Sequence, residues 1–293
     1  MPSVMQAPQA ALGVVAVECE LTARCDLECS HCCTLSGPRT GHGSMNLGDW
    51  QRSIDDMAGL GIPLVQFIGG EPTLSPYLSR LVDHALGHGL DVEVYSNFTH
   101  IRPGLWTLFE RTGVRLATSY YSDDPAQHDQ ITTRPGSHAR TRANIVEALH
   151  RRIPLRAGIV KVFDGQRVHE AEAELHALGL RNTRIDRVRA VGRAAGPATV
   201  PGVDELCGRC FHQRAAVSPD GDVYGCILSR HFIAGNARTH GLAKVLTGPE
   251  WAEISEQITP ARNACTPDDS NDCDPAGTEA CLPSYPGDDG DGS

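Results

Sequence analysis

Apolar runs alternate along this chain with longer stretches whose apolar positions recur at helical spacing. That rhythm predicts strands separated by crossover helices, and so a parallel sheet. Strands are expected at residues 14–21, 63–68, 90–96, 114–120, 155–163 and 184–191. Helices are expected at 47–60, with Asn46 as cap and Gly61 as stop, and at 76–87, 103–112 and 167–178. A polar loop over 122–137 precedes a further helix running to about residue 151. Six strand–helix units are two short of a closed eight-stranded barrel, so the expected fold is α/β, a partial (β/α)6 TIM-like barrel.

The flanks of that pattern read differently. Residues 1–12 are small, contain Pro and Gln and lack periodicity, which predicts a disordered start. A Gly/Ala/Pro-rich stretch at 192–202 marks a boundary. The expected division is a barrel over 13–191, a linker over 192–206, a small cysteine-rich C-terminal extension over 207–285 and a disordered acidic tail over 286–293.

Ligand sites on such sheets sit at the carboxyl ends of the strands. Two polar clusters fall there. Cys25, Cys29 and Cys32 follow the first strand with C-x₃-C-x₂-C spacing, close enough for three thiolates to meet at one metal centre. A 4Fe–4S cluster takes four ligands, so three from the chain leave one iron open. Structural zinc would close its shell with four, and a zinc knuckle or stray core thiols stand beside that reading. Gly69, Gly70 and Glu71 follow the second strand; glycines admit close backbone approach, and a carboxylate suits an ammonium group.

Composition narrows the partners. The formal charge is −10, and from Pro260 onward eight acidic residues face only Arg262, so most of it lies in the tail. No basic stripe is present, which disfavours nucleic acid. Eleven cysteines without a charged signal sequence point to metal rather than disulfides, and the run 10–17 is far too short to span a bilayer. A cytoplasmic protein with no membrane association is expected.

The cysteine loop followed by Gly69-Gly70-Glu71-Pro72 resembles the radical S-adenosylmethionine (SAM) superfamily. The resemblance implies a SAM-binding 4Fe–4S cluster on Cys25, Cys29 and Cys32, with SAM's methionine end on the open iron and its amino group at Gly69–Glu71. It further implies that Ser96, Asn97 and Ser119 at later strand ends touch the ribose and carboxylate, and that His31 packs near the adenine. The segment from Ser119 to Ser137, with His128-Asp129 and Arg134-Pro-Gly, resembles the peptide-modifying branch and implies that Arg134 holds the cofactor's carboxylate. Cys19 and Cys33 read as buried thiols, although a thiol near the site can donate a hydrogen atom.

A second cysteine set follows the linker. Cys207 and Cys210, a hairpin signal at 219–222 and Cys226 resemble the SPASM and twitch extensions that hold auxiliary iron–sulfur clusters. Gly235-Asn236 and a helical segment over 242–258 fit that extension. Cys265, Cys273 and Cys281, spaced every eight residues in the acidic tail, would supply further ligands to one or two auxiliary 4Fe–4S clusters.

The activity implied is reductive cleavage of SAM to a 5′-deoxyadenosyl radical that abstracts hydrogen from a substrate. The leading substrate is a ribosomally made precursor peptide, with a crosslink, an epimerisation or a related change as the outcome. A small-molecule dehydrogenase acting on a sugar or aminocyclitol is the alternative, and a non-catalytic metal-binding scaffold a third reading. An electron donor of flavodoxin or ferredoxin type is implied. Fewer than fifteen residues precede the first strand, so a separate protein is expected to recognise a leader peptide.

Overall fold

The computed structural model describes residues 13–196 and 201–260, so the terminal segments expected to be disordered lie outside the described residues. In chain order the first part runs β1 (Ala16–Glu20), α1 (Leu47–Gly59), β2 (Leu64–Ile68), α2 (Leu78–Gly87), β3 (Asp91–Tyr95), α3 (Pro103–Phe109) and β4 (Val114–Tyr120). It continues through α4 (Pro125–Thr132), α5 (Ser137–His150), β5 (Leu155–Lys161), α6 (Val168–Ala177) and β6 (Thr183–Arg187). The second part holds β7 (Arg214–Val217), β8 (Asp222–Tyr224), β9 (Gly235–Asn236), α7 (Ala237–His240), α8 (Leu242–Leu246) and α9 (Pro249–Gln257).

The nine strands among the described residues belong to one sheet, in the order β6-β5-β4-β3-β2-β1-β7-β8-β9. The six strands of the first part are parallel to their neighbours, as the alternating pattern predicts, and the sheet stays open between β6 and β9. The hairpin β7–β8 forms with Val217 opposite Val223. Its attachment is the unexpected part: β7 joins the free edge of β1 in parallel, Ala16 beside Arg214.

Side chains alternate across the sheet, as strand geometry requires. One face packs on the helices through Val17, Cys19, Val65, Phe67, Val92 and Val94. The other is polar: Glu18, Gln66, Glu93 and Arg115 fall in one register row across β1–β4. Buried charges persist only when paired. Glu93 accepts from Arg156 Nη2 at 2.7 Å and Nε at 2.9 Å, and Glu18 accepts from Arg214 Nη1 at 2.8 Å. Burial pushes the Glu93 carboxyl up, but the Arg156 charge and its hydrogen bonds outweigh that and hold it at about 2.

Helix starts follow their sequence signals. At α1 the Asn46 side chain accepts from the Asp49 N–H at 3.1 Å and the Asp49 carboxylate accepts from the Asn46 N–H at 2.9 Å, a reciprocal cap. Three expectations need correction. The polar stretch 122–137 contains α4, begun by Asp124, whose carboxylate accepts from the Ala126 N–H, and by Pro125 in the first turn. The sixth strand ends at Arg187 because residues 188–193 fold back toward the cysteine loop, where the Arg193 N–H donates to the Cys32 carbonyl at 3.0 Å. The helical stretch 242–258 divides at Gly248-Pro249, where proline starts a new helix. No helix among the described residues is long and apolar enough to cross a membrane.

Candidate active site

The carboxyl ends of the parallel strands surround a cavity of about 290 Å³. Cys25, Cys29 and Cys32 all line it, on the loop that leaves β1. Hydrogen bonds hold that loop from three sides. The Cys25 N–H donates to the Gly37 carbonyl at 3.1 Å, and the Ser30 N–H donates to the Ile131 carbonyl in α4 at 3.0 Å. From the third side, Arg193 Nη1 donates to the Cys29 carbonyl at 2.8 Å and its Nη2 donates to the Ser36 carbonyl.

Gly69 and Gly70 form part of the cavity wall at the end of β2. Their need for glycine is set by the chain itself. Gly69 has φ +129°, and a Cβ there would stand 2.6 Å from the Thr22 carbonyl oxygen. At Gly70 a Cβ would overlap the Arg24 carbonyl. The Gly70 N–H donates to Thr22 at 2.7 Å and the Glu71 N–H to Arg24 at 2.9 Å. The glycines therefore seat the base of the cysteine loop directly on the end of β2.

Glu71 is buried behind that wall and anchors it. Its Oε1 accepts from the Thr73 N–H at 3.0 Å, the Thr73 hydroxyl at 2.7 Å and the Ser96 hydroxyl at 2.8 Å; its Oε2 accepts from the Asn97 N–H at 2.8 Å. Burial pushes the carboxyl up to about 7 against the pull of those bonds. Each buried donor left without an acceptor would cost about 1–3 kcal/mol, so the carboxylate pins the ends of β2 and β3 together.

The other expected residues divide into two groups. Asn97 lines the cavity, and its Nδ2 donates to Asp26 at 2.7 Å and lies 3.7 Å from Cys25 Sγ. Ser119 lines it too, 3.1 Å from the Tyr95 hydroxyl, as does His31. Burial, followed by the Arg193 charge, lowers the His31 imidazole to about 4, which keeps it neutral at ordinary pH. Ser96 supports Glu71 instead of facing the cavity. Arg134 is exposed in the turn between α4 and α5, away from the lining. Its segment is shaped by Asp129, which accepts from the Ser137 hydroxyl at 2.8 Å and the His138 N–H at 2.9 Å and so starts α5.

Several lining residues carry weaker signals. Tyr121 lies two positions beyond Ser119, a spacing that the strand-end rule already favours, and meets the His31 ring edge-on at 5.1 Å. His128 also lines the cavity, and burial with the His138 charge lowers it to about 4. Arg193 has no sequence signal, since it sits in a Gly/Ala stretch that reads as linker.

The cysteine chemistry fits an iron–sulfur cluster. Burial is the main force that pushes the Cys29 thiol up to about 12 and the Cys25 thiol well above its usual range. Thiols held this way ionise readily only to a metal, whose charge offsets the desolvation. The three thiols share the cavity wall with Gly69 and Gly70, and the cavity has room for a small molecule beside them. Cys33 lines the cavity half-buried, while Cys19 belongs to the helix-side core.

The second set gathers as well. Cys207, Cys210 and Cys226 are buried, and hydrogen bonds with Cys207 and Cys226, added to burial, push the Cys210 thiol far above its usual range. Ile227 and Leu228, directly after Cys226, form part of the cavity wall. Cys265, Cys273 and Cys281 lie outside the described residues.

Comparison with known proteins agrees with this geometry. The radical SAM superfamily model matches residues 19–176, and a model of an iron–sulfur cluster-binding domain, SPASM, matches 207–274. The mycofactocin maturase MftC of Mycobacterium ulcerans is 27% identical over 271 residues, which cover 76% of this chain and 71% of that protein. The AdoMet-dependent heme synthase of Methanosarcina barkeri is 32% identical over 127 residues, 43% of this chain and 36% of that one, so the chain spans about a third of that relative. The crystal structure of Streptococcus suis SuiB bound to precursor peptide SuiA superposes with a TM-score of 0.68 at 13% identity, over 83% of this chain and 66% of that one. That last likeness speaks to the fold.

Proposed function

We propose, for a chain that belongs to the radical SAM superfamily and carries an iron–sulfur cluster-binding domain of SPASM type, that it modifies a ribosomally made precursor peptide. The observation that carries the reading is the meeting of Cys25, Cys29 and Cys32 with Gly69 and Gly70 on one cavity. In this reading the three thiolates hold a 4Fe–4S cluster, and the β2 end, Asn97 and Ser119 receive SAM. Cluster and SAM, when bound, supply one-electron cleavage and hydrogen abstraction from an unactivated carbon. The chain's own part is to bind, orient and exclude water. Glu71 keeps the β2 and β3 ends fixed, Asn97 holds Asp26 beside Cys25, and Tyr121 with His31 builds an aromatic wall.

The peptide substrate is supported by the similarity to the mycofactocin maturase along three quarters of the chain. A low-potential flavodoxin or ferredoxin in the cytoplasm would supply the electron. The test is anaerobic incubation of the reconstituted, reduced chain with SAM and each short peptide that the neighbouring reading frames encode. 5′-Deoxyadenosine together with a mass change in the peptide is expected. 5′-Deoxyadenosine without any change in the peptide would leave the family chemistry standing and remove the peptide.

The hairpin set is one thiolate short of a closed cluster. At least one of Cys265, Cys273 and Cys281 completes it in this reading, since ligation supplies free energy that an acidic, apolar-poor segment lacks. Iron per chain, compared between the full chain and a form ending at Thr259, checks this. A loss of roughly four irons fits one shared cluster and roughly eight fits two. An unchanged count makes the tail cysteines bystanders.

A further inference from the structure

A second cluster of metal-ligating side chains stands on helices α1 and α2, outside the lining of the cavity at the carboxyl ends of the strands. Asp55 on α1 faces His84 in α2 and His88 at its C-terminal end. His84 Nε2 lies 2.7 Å from Asp55 Oδ1, and His88 Nε2 lies 3.0 Å from the same oxygen. The two imidazoles are four residues apart, so the helix sets them one above the other, with ring centroids 4.8 Å apart. All three ligand atoms fall within 4.8 Å of one another.

From this geometry we propose that Asp55, His84 and His88 form a site for a divalent late first-row transition metal, Zn²⁺ or Ni²⁺. Two imidazole nitrogens with one carboxylate oxygen suit ions of that class, whereas Ca²⁺ and Mg²⁺ select oxygen sets. His84 is half-buried while Asp55 and His88 are exposed, so water fills the remaining coordination positions. The ligands come from two helices, and a bound ion clamps α1 to α2. Its neighbour Asp56 already ties α1 on another side, accepting from the Ala243 N–H of α8 at 3.0 Å. The site shares no residue with the cysteine centres, so it fills independently of them.

The test is calorimetric titration of Ni²⁺ into the full chain after its iron–sulfur sites have been reconstituted anaerobically. The wild type is expected to bind one more equivalent than the double variant His84→Ala/His88→Ala, and Asp55→Ala is expected to weaken that equivalent at least roughly tenfold. Iron and acid-labile sulfide should be the same in all three forms, which shows that the variants fold and that the readout is separate from the cysteine sites. A double variant that binds Ni²⁺ with wild-type stoichiometry and affinity overturns the proposal. So does a wild type that takes up no such equivalent, which would leave the three residues as a hydrogen-bonded surface cluster.

Discussion

Replacement of Cys25, Cys29 and Cys32 together by alanine is expected to remove roughly four irons per chain and abolish formation of 5′-deoxyadenosine from SAM. The loop itself should survive the change. Its position rests on backbone bonds to Gly37 and Ile131 and on the Arg193 side chain, none of which uses a thiol. Alanine also removes the Cys25 sulfur that accepts from the Leu27 N–H at 3.4 Å and the Cys32 sulfur 3.2 Å from the Thr34 hydroxyl, local contacts beside those longer-range ties. Iron that the proposed function assigns to Cys207, Cys210 and Cys226 should therefore remain, since those residues flank the hairpin β7–β8 and lie outside the loop. Iron analysis with product chromatography checks both halves of the expectation. A triple variant that still cleaves SAM would mean that the loop does not hold the reactive cluster.

Gly192→Ala is expected to impair the same centre without touching a ligand. Gly192 has φ +63°, a conformation that costs an L-residue about 1–2 kcal/mol. The larger effect is steric: a Cβ there would overlap the Cys32 carbonyl oxygen and stand 2.6 Å from that of Cys33. Those atoms are backbone, so residues 192–193 must move away from the cysteine loop. Arg193 would then lose its bonds to the Cys29, Cys32 and Ser36 carbonyls. A shift of about 1 Å at a reacting centre costs on the order of 100-fold in rate. We expect SAM cleavage to fall by that order, with faster loss of iron to a chelator. Gly196→Ala is the control, because Gly196 also has a positive φ (+68°) and, its chain neighbours aside, no atom of the described residues lies within 4 Å of a Cβ placed there. Equal behaviour of the two variants would assign the effect to backbone strain rather than to the clamp.

Much of this arrangement could be read from residue order alone. The parallel strands declare themselves because buried strands are nearly continuous apolar runs, and Asn46, Gly61 and Pro103 punctuate the helices. The cysteine loop and the glycines are local motifs that depend on spacing within a few residues. What stayed hidden depends on contacts distant in sequence. Asp124-Pro125 begins a helix inside a stretch whose polar composition suggested a loop. Glu71 carries a group suited to an ammonium ion, yet its carboxylate is occupied by Ser96, Thr73 and Asn97 from its own and the next strand end. Arg193 clamps the loop from a stretch whose small residues suggested a linker. In each case local chemistry was legible and the partner was not.

The pairing of β7 with β1 bears on how such a chain reaches its native state. Glu18 and its partner Arg214 are 196 residues apart, and both are buried. Contacts of that separation form late, because the loop must close before the pairing repays its entropy. Until Arg214 has been synthesised, β1 keeps one hydrogen-bonding edge open, and Glu18 has no guanidinium to share its burial. A growing chain therefore carries its cysteine loop on a half-paired strand. Such an edge is the kind of surface that recruits another chain. Synthesis past the hairpin converts that edge strand into an interior one.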